Sequence, residues 1–378
     1  MAENTSSTPV ASPQGSPKFT VTPSPHFKAP FNVRTIMYLV VFALTPALAG
    51  AVYFYGFWPL FLVLVSVTTA VGSEFLMNLA FKRPLADCLD GSAIITGMLL
   101  AYNVPPSAPW WMVAAGSAFA IIVAKAFFGG LGHNFLNPAL AGRAFLMASW
   151  PTLMTSGWLI RKGIGTVSGI PQSMWTNVID AAKSAPTTMH GVDALTGATP
   201  LGVLQKLKIA TDPALISGTK HALNDPAVIK SLFWGNIGGV IGETSVILIL
   251  IPALILMVIR VIDWRIPLAY IATTAAFSFL AYLFGATPVT PIYHLFAGGL
   301  MLGALFMATD YSTTPVSPAG QWIFGVGCGV ITMLIRLWGG YPEGVSYSIL
   351  LMNVATPLID RFTRPRILGE QRKRKVEK

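Results

Sequence analysis

Few side chains in this chain can do chemistry, and most of them sit where water is scarce. Glu74, Glu243 and Glu343 are the carboxylates nearest to apolar segments. An ionisable group inside a bilayer is costly enough to be functional by default. Glu74 lies about two helical turns before Lys82-Arg83, deep in its segment at a rise of about 1.5 Å per residue. Glu343 follows Tyr341-Pro342 at a helix start, where the helix dipole alone also favours a carboxylate. Glu243, followed by Thr244 and Ser245, suits an interior polar cluster. Glu74 and Glu343 are the candidates for a cation path, with Asp310 a further one. Two stretches carry other chemistry. Residues 193–201 read Asp-Ala-Leu-Thr-Gly-Ala-Thr-Pro-Leu. Structurally, Thr199 before Pro200 is a helix start, a hydroxyl N-cap with proline at the first helical position and Thr196-Gly197 as the turn feeding it. A hydroxyl there also stands where a helix N-terminus favours phosphate. Residues 129–143, Gly-Gly-Leu-Gly-His-Asn-Phe-Leu-Asn-Pro-Ala-Leu-Ala-Gly-Arg, combine glycines with His133, Asn134, Asn137-Pro138 and Arg143. One account is a broken helix whose polar groups satisfy backbone freed by Gly and Pro; the other is a cofactor cavity. His133 has no second ligand three or four residues on, so no metal site is expected. Cys88 and Cys328 are too few for a disulfide framework, or for the four thiolates of a metal–sulfur cluster from this chain alone; they read as two unpaired apolar-site thiols, with a cluster shared with another subunit as the alternative.

The elements that must position these groups follow from composition. The 378 residues are 53% hydrophobic and 11% charged, against about 25% charged in soluble domains, and the mean hydropathy is +0.63. So few ionisable groups could not cover a soluble globule of this size, which excludes an ordinary cytosolic enzyme and points to a bilayer as solvent. The net charge of +10 does not indicate nucleic acid, because eight of the 25 basic residues fall between positions 361 and 378. A basic tail beside a membrane segment is a topology signal facing anionic lipid.

Asp, Glu, Lys and Arg are absent from residues 35–73, 91–124, 244–259, 266–309 and 311–335. Split at Pro, Gly and polar punctuation, these runs predict ten helices: 35–56, 58–80, 91–104, 110–128 and 133–150, then 235–259, 267–286, 291–309, 320–338 and 343–361. Short loops near residues 55–57 and 103–110 have no Lys or Arg, while Lys18, Lys28, Arg34, Lys82, Arg83, Arg260, Arg265 and the tail fall on the other side. The excess of Lys and Arg places both termini in the cytoplasm. The expected fold is an all-α polytopic membrane protein of about ten transmembrane helices. Its domains are a cytoplasmic Pro/Ser/Thr-rich arm (1–30), a first five-helix unit (31–150), a long extracytoplasmic loop (151–234), a second five-helix unit (235–362) and a basic cytoplasmic tail (363–378). The arm holds six prolines and little apolar periodicity, so it is expected to be disordered and not a cleavable signal peptide. Ala126-Phe-Phe-Gly-Gly-Leu is echoed by Arg336-Leu-Trp-Gly-Gly-Tyr, and Glu74 in Gly-Ser-Glu by Glu243 in Gly-Glu-Thr-Ser. An odd number of spans per unit makes two such copies inverted repeats, an arrangement of transporters and channels in which interrupted helices meet near the middle.

Residues 193–199 resemble the flavinylation motif of the RnfD/NqrB family of membrane subunits from ion-pumping oxidoreductases. Residues 129–143, Ile241-Gly-Glu-Thr-Ser245 and Gly339-Gly-Tyr-Pro-Glu-Gly-Val345 also look like family blocks, so the resemblance spans nearly all of the chain after residue 25. Asp263-Trp-Arg-Ile-Pro267 and Asp360-Arg-Phe-Thr-Arg-Pro-Arg366 are more similar to RnfD than to NqrB, and the long N-terminal arm departs from the RnfD pattern. The resemblance implies FMN joined by its phosphate to Thr199, with Asp193, Thr196, Gly197 and Ala198 read by a separate flavin transferase. It also implies a second, non-covalent flavin, riboflavin, in a cavity at residues 129–143. A phosphoester tether holds the cofactor by its tail and leaves the ring free to pass electrons singly. The implied function is the electron-carrier subunit of an Rnf-type ferredoxin:NAD⁺ oxidoreductase in a bacterial inner membrane, coupling electron flow to Na⁺ or H⁺ movement. With no nucleotide-binding glycine motif or cluster ligand set in view, it needs iron–sulfur and second-flavin subunits as partners and is not a complete enzyme alone. The alternatives are an NqrB-type subunit of a Na⁺-translocating NADH:quinone reductase, or a stand-alone channel or transporter, which has no need of the loop motif.

Overall fold

Three of the charge-free runs, 35–73, 266–309 and 311–335, give helices long enough to cross a bilayer. The computed structural model describes residues 32–156, 200–207, 220, 223–235, 239–243, 245–341 and 343–364. The Pro/Ser/Thr-rich arm, most of the 151–234 loop and the tail beyond Arg364 lie outside the described residues. Helices α1 (Val33–Tyr55) and α2 (Trp58–Ala80) have 23 residues each. At about 1.5 Å per residue each reaches past the roughly 30 Å of bilayer hydrocarbon. After a 3₁₀ turn (Leu85–Leu89) come α3 (Ser92–Tyr102), α4 (Trp110–Ile121, running on as a π-helical turn Ile122–Ala126), α5 (Pro138–Ser149) and α6 (Pro151–Ser156). Within the loop, α7 (Pro200–Leu207) and α8 (Pro226–Trp234) are described. A second 3₁₀ turn (Ile241–Glu243) leads to α9 (Val246–Val258), α10 (Arg265–Leu283), α11 (Pro291–Phe296), α12 (Leu300–Leu302, continuing as a π-helical turn Gly303–Met307), α13 (Pro318–Trp338) and α14 (Val345–Phe362). The described residues are helical with irregular connections, and α1, α2, α10 and α13 are each long and apolar enough to span a membrane. The described residues are all-helical, and the protein is a polytopic membrane protein.

Local sequence explains where the helices start. Pro59, Pro138, Pro226, Pro291 and Pro318 lie in first turns, where a missing N–H leaves nothing unsatisfied. Asn137, Asp225 and Ser317 add side-chain N-caps. Large apolar side chains such as Phe42, Val258 and Leu358 point outward, as they must when the surrounding solvent is lipid.

Helix α2 packs on α3 and α4, and α10 on α13; α1 lies against α9, and α5 against α14. Leu100, Tyr102, Leu140, Ile249, Leu302 and Ile349 belong to one core drawn from both halves of the chain.

Several segments expected to be continuous are interrupted. The 235–259 segment turns into a helix only at Val246, because Gly235 ends α8 in a left-handed conformation and Ile241–Glu243 forms its own turn. The 291–309 segment breaks at residues 297–299, between α11 and α12. Residues 129–136 precede the helix expected from 133, which starts at Pro138. In lipid, such non-helical backbone persists only where protein groups or a water-filled cavity satisfy it. The polar side chains gather at these interruptions.

Candidate functional site

Two buried ionic clusters organise the interior, one at the start of α3 and one at the α11–α12 interruption. The first forms where α3 begins. Gly91, with φ of +93°, turns the chain into α3, and the Asp90 carboxylate accepts from the Ser92 amide at 2.7 Å and from its hydroxyl at 2.6 Å. Lys125, from the π-helical turn after α4, donates to Ser92 Oγ at 2.6 Å and meets Glu74 of α2 at 2.5 Å. Both members of this ion pair are buried, with side chains 3% and 9% exposed. Glu74, expected on a cation path, therefore has a fixed counter-charge. A buried charge is tolerated only with such a partner.

A cavity of about 90 Å³ adjoins this cluster, lined among others by Ser92, Lys125, Asn134, Asn137, Phe306 and Asp310. It has room for several waters. Asp310 accepts from the Ser312 and Thr313 hydroxyls. The Asn134 side-chain oxygen is buried and has no hydrogen-bond partner among the described residues. Asn137 performs the capping that Asn-Pro suggests: its Oδ1 accepts from Ala139 and Leu140 amides at 3.1 and 3.4 Å, and its Nδ2 reaches the Met307 carbonyl at 3.1 Å. His133 lies exposed on the connecting loop. Of the residues in the 129–143 block, Asn134 and Asn137 face this cavity, whereas Arg143 belongs to the second cluster.

The second cluster gathers at the α11–α12 interruption. Arg143 on α5 donates to Asn103 Oδ1 at 3.0 Å and Ser346 Oγ at 2.6 Å, and pairs with the Glu343 carboxylate. Arg336, near the end of α13, donates to the backbone carbonyls of Glu343 and Ala297 at 3.0 and 3.1 Å, and to that of His294. Its guanidinium satisfies carbonyls left without helical partners as α11 ends. Glu243 lies nearby, at the end of its 3₁₀ turn. The structure thus joins Arg143 and Glu343, two sequence-predicted blocks 200 residues apart, and keeps Glu74 separate with Lys125. A smaller cavity of about 30 Å³ adjoins this second cluster, lined by Asn103, Arg143, Val240, Glu343, Ser346 and Tyr347 among others.

Sequence reasoning missed the two organising cations, Lys125 and Arg336. The signal is present in retrospect. Each ends a long charge-free run and stands shortly before a Gly-Gly pair, at 129–130 and 339–340.

Asp193, Thr196, Gly197, Ala198 and Thr199 lie outside the described residues. The helix that follows is described: α7 starts at Pro200, and Leu201 and Leu204 are buried against Leu223, Val228, Leu232, Val289 and Tyr293. Gln205 donates to the Gly340 carbonyl at 2.5 Å. Leu201 presses on Gly298, where an added Cβ would lie 2.5 Å from Leu201 Cδ1 and 3.4 Å from an Arg336 nitrogen. Gly298 also has φ of +73°, so glycine serves there both for the turn and for the contact. The helix after Thr199 is therefore docked onto the α11–α12 interruption.

Interrupted helices, buried ion pairs at the interruptions and a lipid-facing apolar exterior define the class: a polytopic membrane protein with an ionisable interior. The chain belongs to the NQR2, RnfD, RnfE family, whose model matches residues 20–369. It is 45% identical over 361 residues to a subunit of the Na⁺-translocating ferredoxin:NAD⁺ oxidoreductase complex of Acetobacterium woodii, covering 95% of this chain and 98% of that protein. It is 42% identical to the corresponding subunit of the proton-translocating ferredoxin:NAD⁺ oxidoreductase complex of Clostridium ljungdahlii, covering 94% and 97%. The corresponding subunit of the ion-translocating oxidoreductase complex of Stutzerimonas stutzeri is 40% identical, with 89% and 92% covered.

Proposed function

We propose that this chain is the membrane electron-carrier subunit of an ion-translocating ferredoxin:NAD⁺ oxidoreductase complex, holding FMN covalently on Thr199. It acts within an oxidoreductase complex and is not a complete enzyme alone. Family membership and near full-length similarity to three such subunits support the complex. The observation that carries the flavin reading is the placement of α7. Thr199 directly precedes Pro200, the first residue of a helix anchored by Leu201 and Leu204. A phosphoester at that hydroxyl has the helix N-terminal amides beyond it, which favour the retained negative charge. Asp193, Thr196, Gly197 and Ala198 serve as the recognition sequence for a flavin transferase.

When bound, the flavin supplies one-electron redox chemistry, and the chain supplies position and electrostatics. The buried apolar contacts of α7 fix the tether point against the membrane helices. The 90 Å³ cavity between Asn134, Asn137 and Asp310, which must widen to admit the ring, is the proposed place for a non-covalent riboflavin. Its apolar walls and the unsatisfied Asn134 oxygen suit a flat heteroaromatic ring with polar edges. Glu74 and Glu343 line the cation path as carboxylates held in place by Lys125 and Arg143. The chain is similar to one relative named for Na⁺ and to one named for protons, so the proposed cation is one of these two.

On this reading the helices form ten spans in two inverted five-helix repeats, 31–150 and 235–362, with the 151–234 loop outside and both termini in the cytoplasm of a bacterial inner membrane. The matched features of the halves support it. The first half turns into α3 at Gly91 and the second breaks at Gly298-Gly299, and in each half a later helix delivers a buried cation ahead of a Gly-Gly pair. Iron–sulfur and second-flavin subunits are the electron partners. The test is direct. Protein made with a flavin transferase should show flavin fluorescence in its band on a denaturing gel, and Thr199→Ala should lose it. An unmodified Thr199 peptide by mass spectrometry, in material from the source cell, refutes the reading.

A further inference from the structure

The second cluster holds a carboxylate that its ion pairs leave out. Ile241–Glu243 is a 3₁₀ turn wedged into the core: the Ile241 amide donates to the Val104 carbonyl at 3.2 Å, and a Cβ on Gly242 would lie 2.6 Å from Tyr102 Cβ. The Glu243 side chain runs across two glycines. A Cβ built on Gly299 would lie 2.8 Å from its Oε1, and one on Gly239 would lie 3.2 Å from its Oε2. Gly239 is itself held by the Tyr55 hydroxyl, which accepts from its amide at 3.0 Å. The charged groups facing Glu243 are Glu343 from the start of α14, Arg143 from α5 and Arg336 from α13. Arg143 spends its donors on Glu343, Asn103 and Ser346, and Arg336 on backbone carbonyls. Glu243 Oε1 is buried with no hydrogen-bond partner among the described residues.

A buried carboxylate oxygen without a donor is costly unless a cation joins it. The 30 Å³ cavity of the same cluster is lined by Val240, Arg143 and Glu343, though not by Glu243 itself, and has room for one or two waters. We propose that Glu243 is an exchangeable binding site for one monovalent cation, a proton or Na⁺, while Glu343 and Glu74 remain fixed by their ion pairs. This rests on the ion-translocating reading and assigns its exchanging group. The cation binds at the interrupted helix, and the two glycines give the carboxylate its place against the backbone.

Dicyclohexylcarbodiimide, which adds to protonated carboxyls in apolar surroundings, tests this on the intact purified complex with peptide mapping by mass spectrometry. The expected result is an adduct on Glu243, with less on Glu74 and Glu343. Protection by Na⁺ but not K⁺ at fixed pH identifies a Na⁺ site; loss of labelling only as pH rises identifies a proton site. Absence of the adduct at every pH, or labelling insensitive to both Na⁺ and pH, overturns the proposal. In proteoliposomes, Glu243→Gln should lose cation uptake per electron transferred, Glu243→Asp should retain part of it, and native stoichiometry in Glu243→Gln overturns the assignment. A native complex that moves no cation refutes the ion-translocating reading, whereas the labelling result bears on Glu243 separately.

Discussion

Arg143→Met is the most revealing single change in the fold. The guanidinium connects α5 to Asn103 at the end of α3 and to Glu343 and Ser346 at the start of α14. Its side chain is 6% exposed and that of Glu343 is 12% exposed. Methionine keeps much of the volume and removes the charge. Glu343 is then left buried without its ion partner, which costs about 3–5 kcal/mol in a buried pair. Arg336 lies beside the Glu343 backbone and its charge softens the loss, so the lower part of that range, about 3 kcal/mol, is expected. The double variant Arg143→Met/Glu343→Gln removes both charges and should be more stable than the sum of the single effects predicts, with a coupling of about 2 kcal/mol. The assay is unfolding of the purified protein in mixed micelles, titrated with a denaturing detergent. Strict additivity of the two changes, or an Arg143→Met effect below about 1 kcal/mol, refutes the view that this pair holds the two halves together.

The same unfolding assay checks two further expectations. Lys125→Met strips Glu74 of its ion partner and should destabilise by about 3–5 kcal/mol, with rescue by Glu74→Gln; failure of the second change to rescue argues against the pair. Asn137→Ala removes the N-cap of α5, worth about 1 kcal/mol, together with the bond to the Met307 carbonyl. Asn137→Ser keeps a capping oxygen and should lose less, and equal loss in the two variants would show that the Met307 contact dominates.

Reading the sequence located the four long apolar helices because bilayer-crossing residues shed charge over long runs, and α2 begins and ends where that pattern places it. The interruptions were harder to see. Gly298-Gly299 lies inside a charge-free run from 266 to 309, and apolarity alone does not distinguish a continuous helix from two short ones. The ion pairs were hidden for a different reason. Glu74 and Lys125 are 51 residues apart and Arg143 and Glu343 are 200 apart, so neither pair has a local signature. Glu343 could be read locally as a helix-start carboxylate, but its side chain is taken by Arg143. Asn137-Pro138, by contrast, was legible as chemistry between near neighbours, and it does cap α5.

The α11–α12 interruption brings the proposed redox and cation chemistry together. Gly298 touches Leu201, two residues beyond Thr199, while Gly299 touches the Glu243 carboxylate. Arg336 bonds to Ala297 immediately before these glycines and to Glu343 beyond them. On the proposed reading, a flavin tethered at Thr199 would gain or lose its charge on the same side of the interruption as Glu243. An electron added there favours a bound cation by Coulomb attraction, which an effective dielectric of about 20 leaves stronger than bulk water does. The same electron placed in bulk water would act about fourfold more weakly. On the proposed reading, docking α7 on this glycine pair is what makes electron arrival felt by Glu243, and the coupling depends on that closeness without requiring a large movement of the helices.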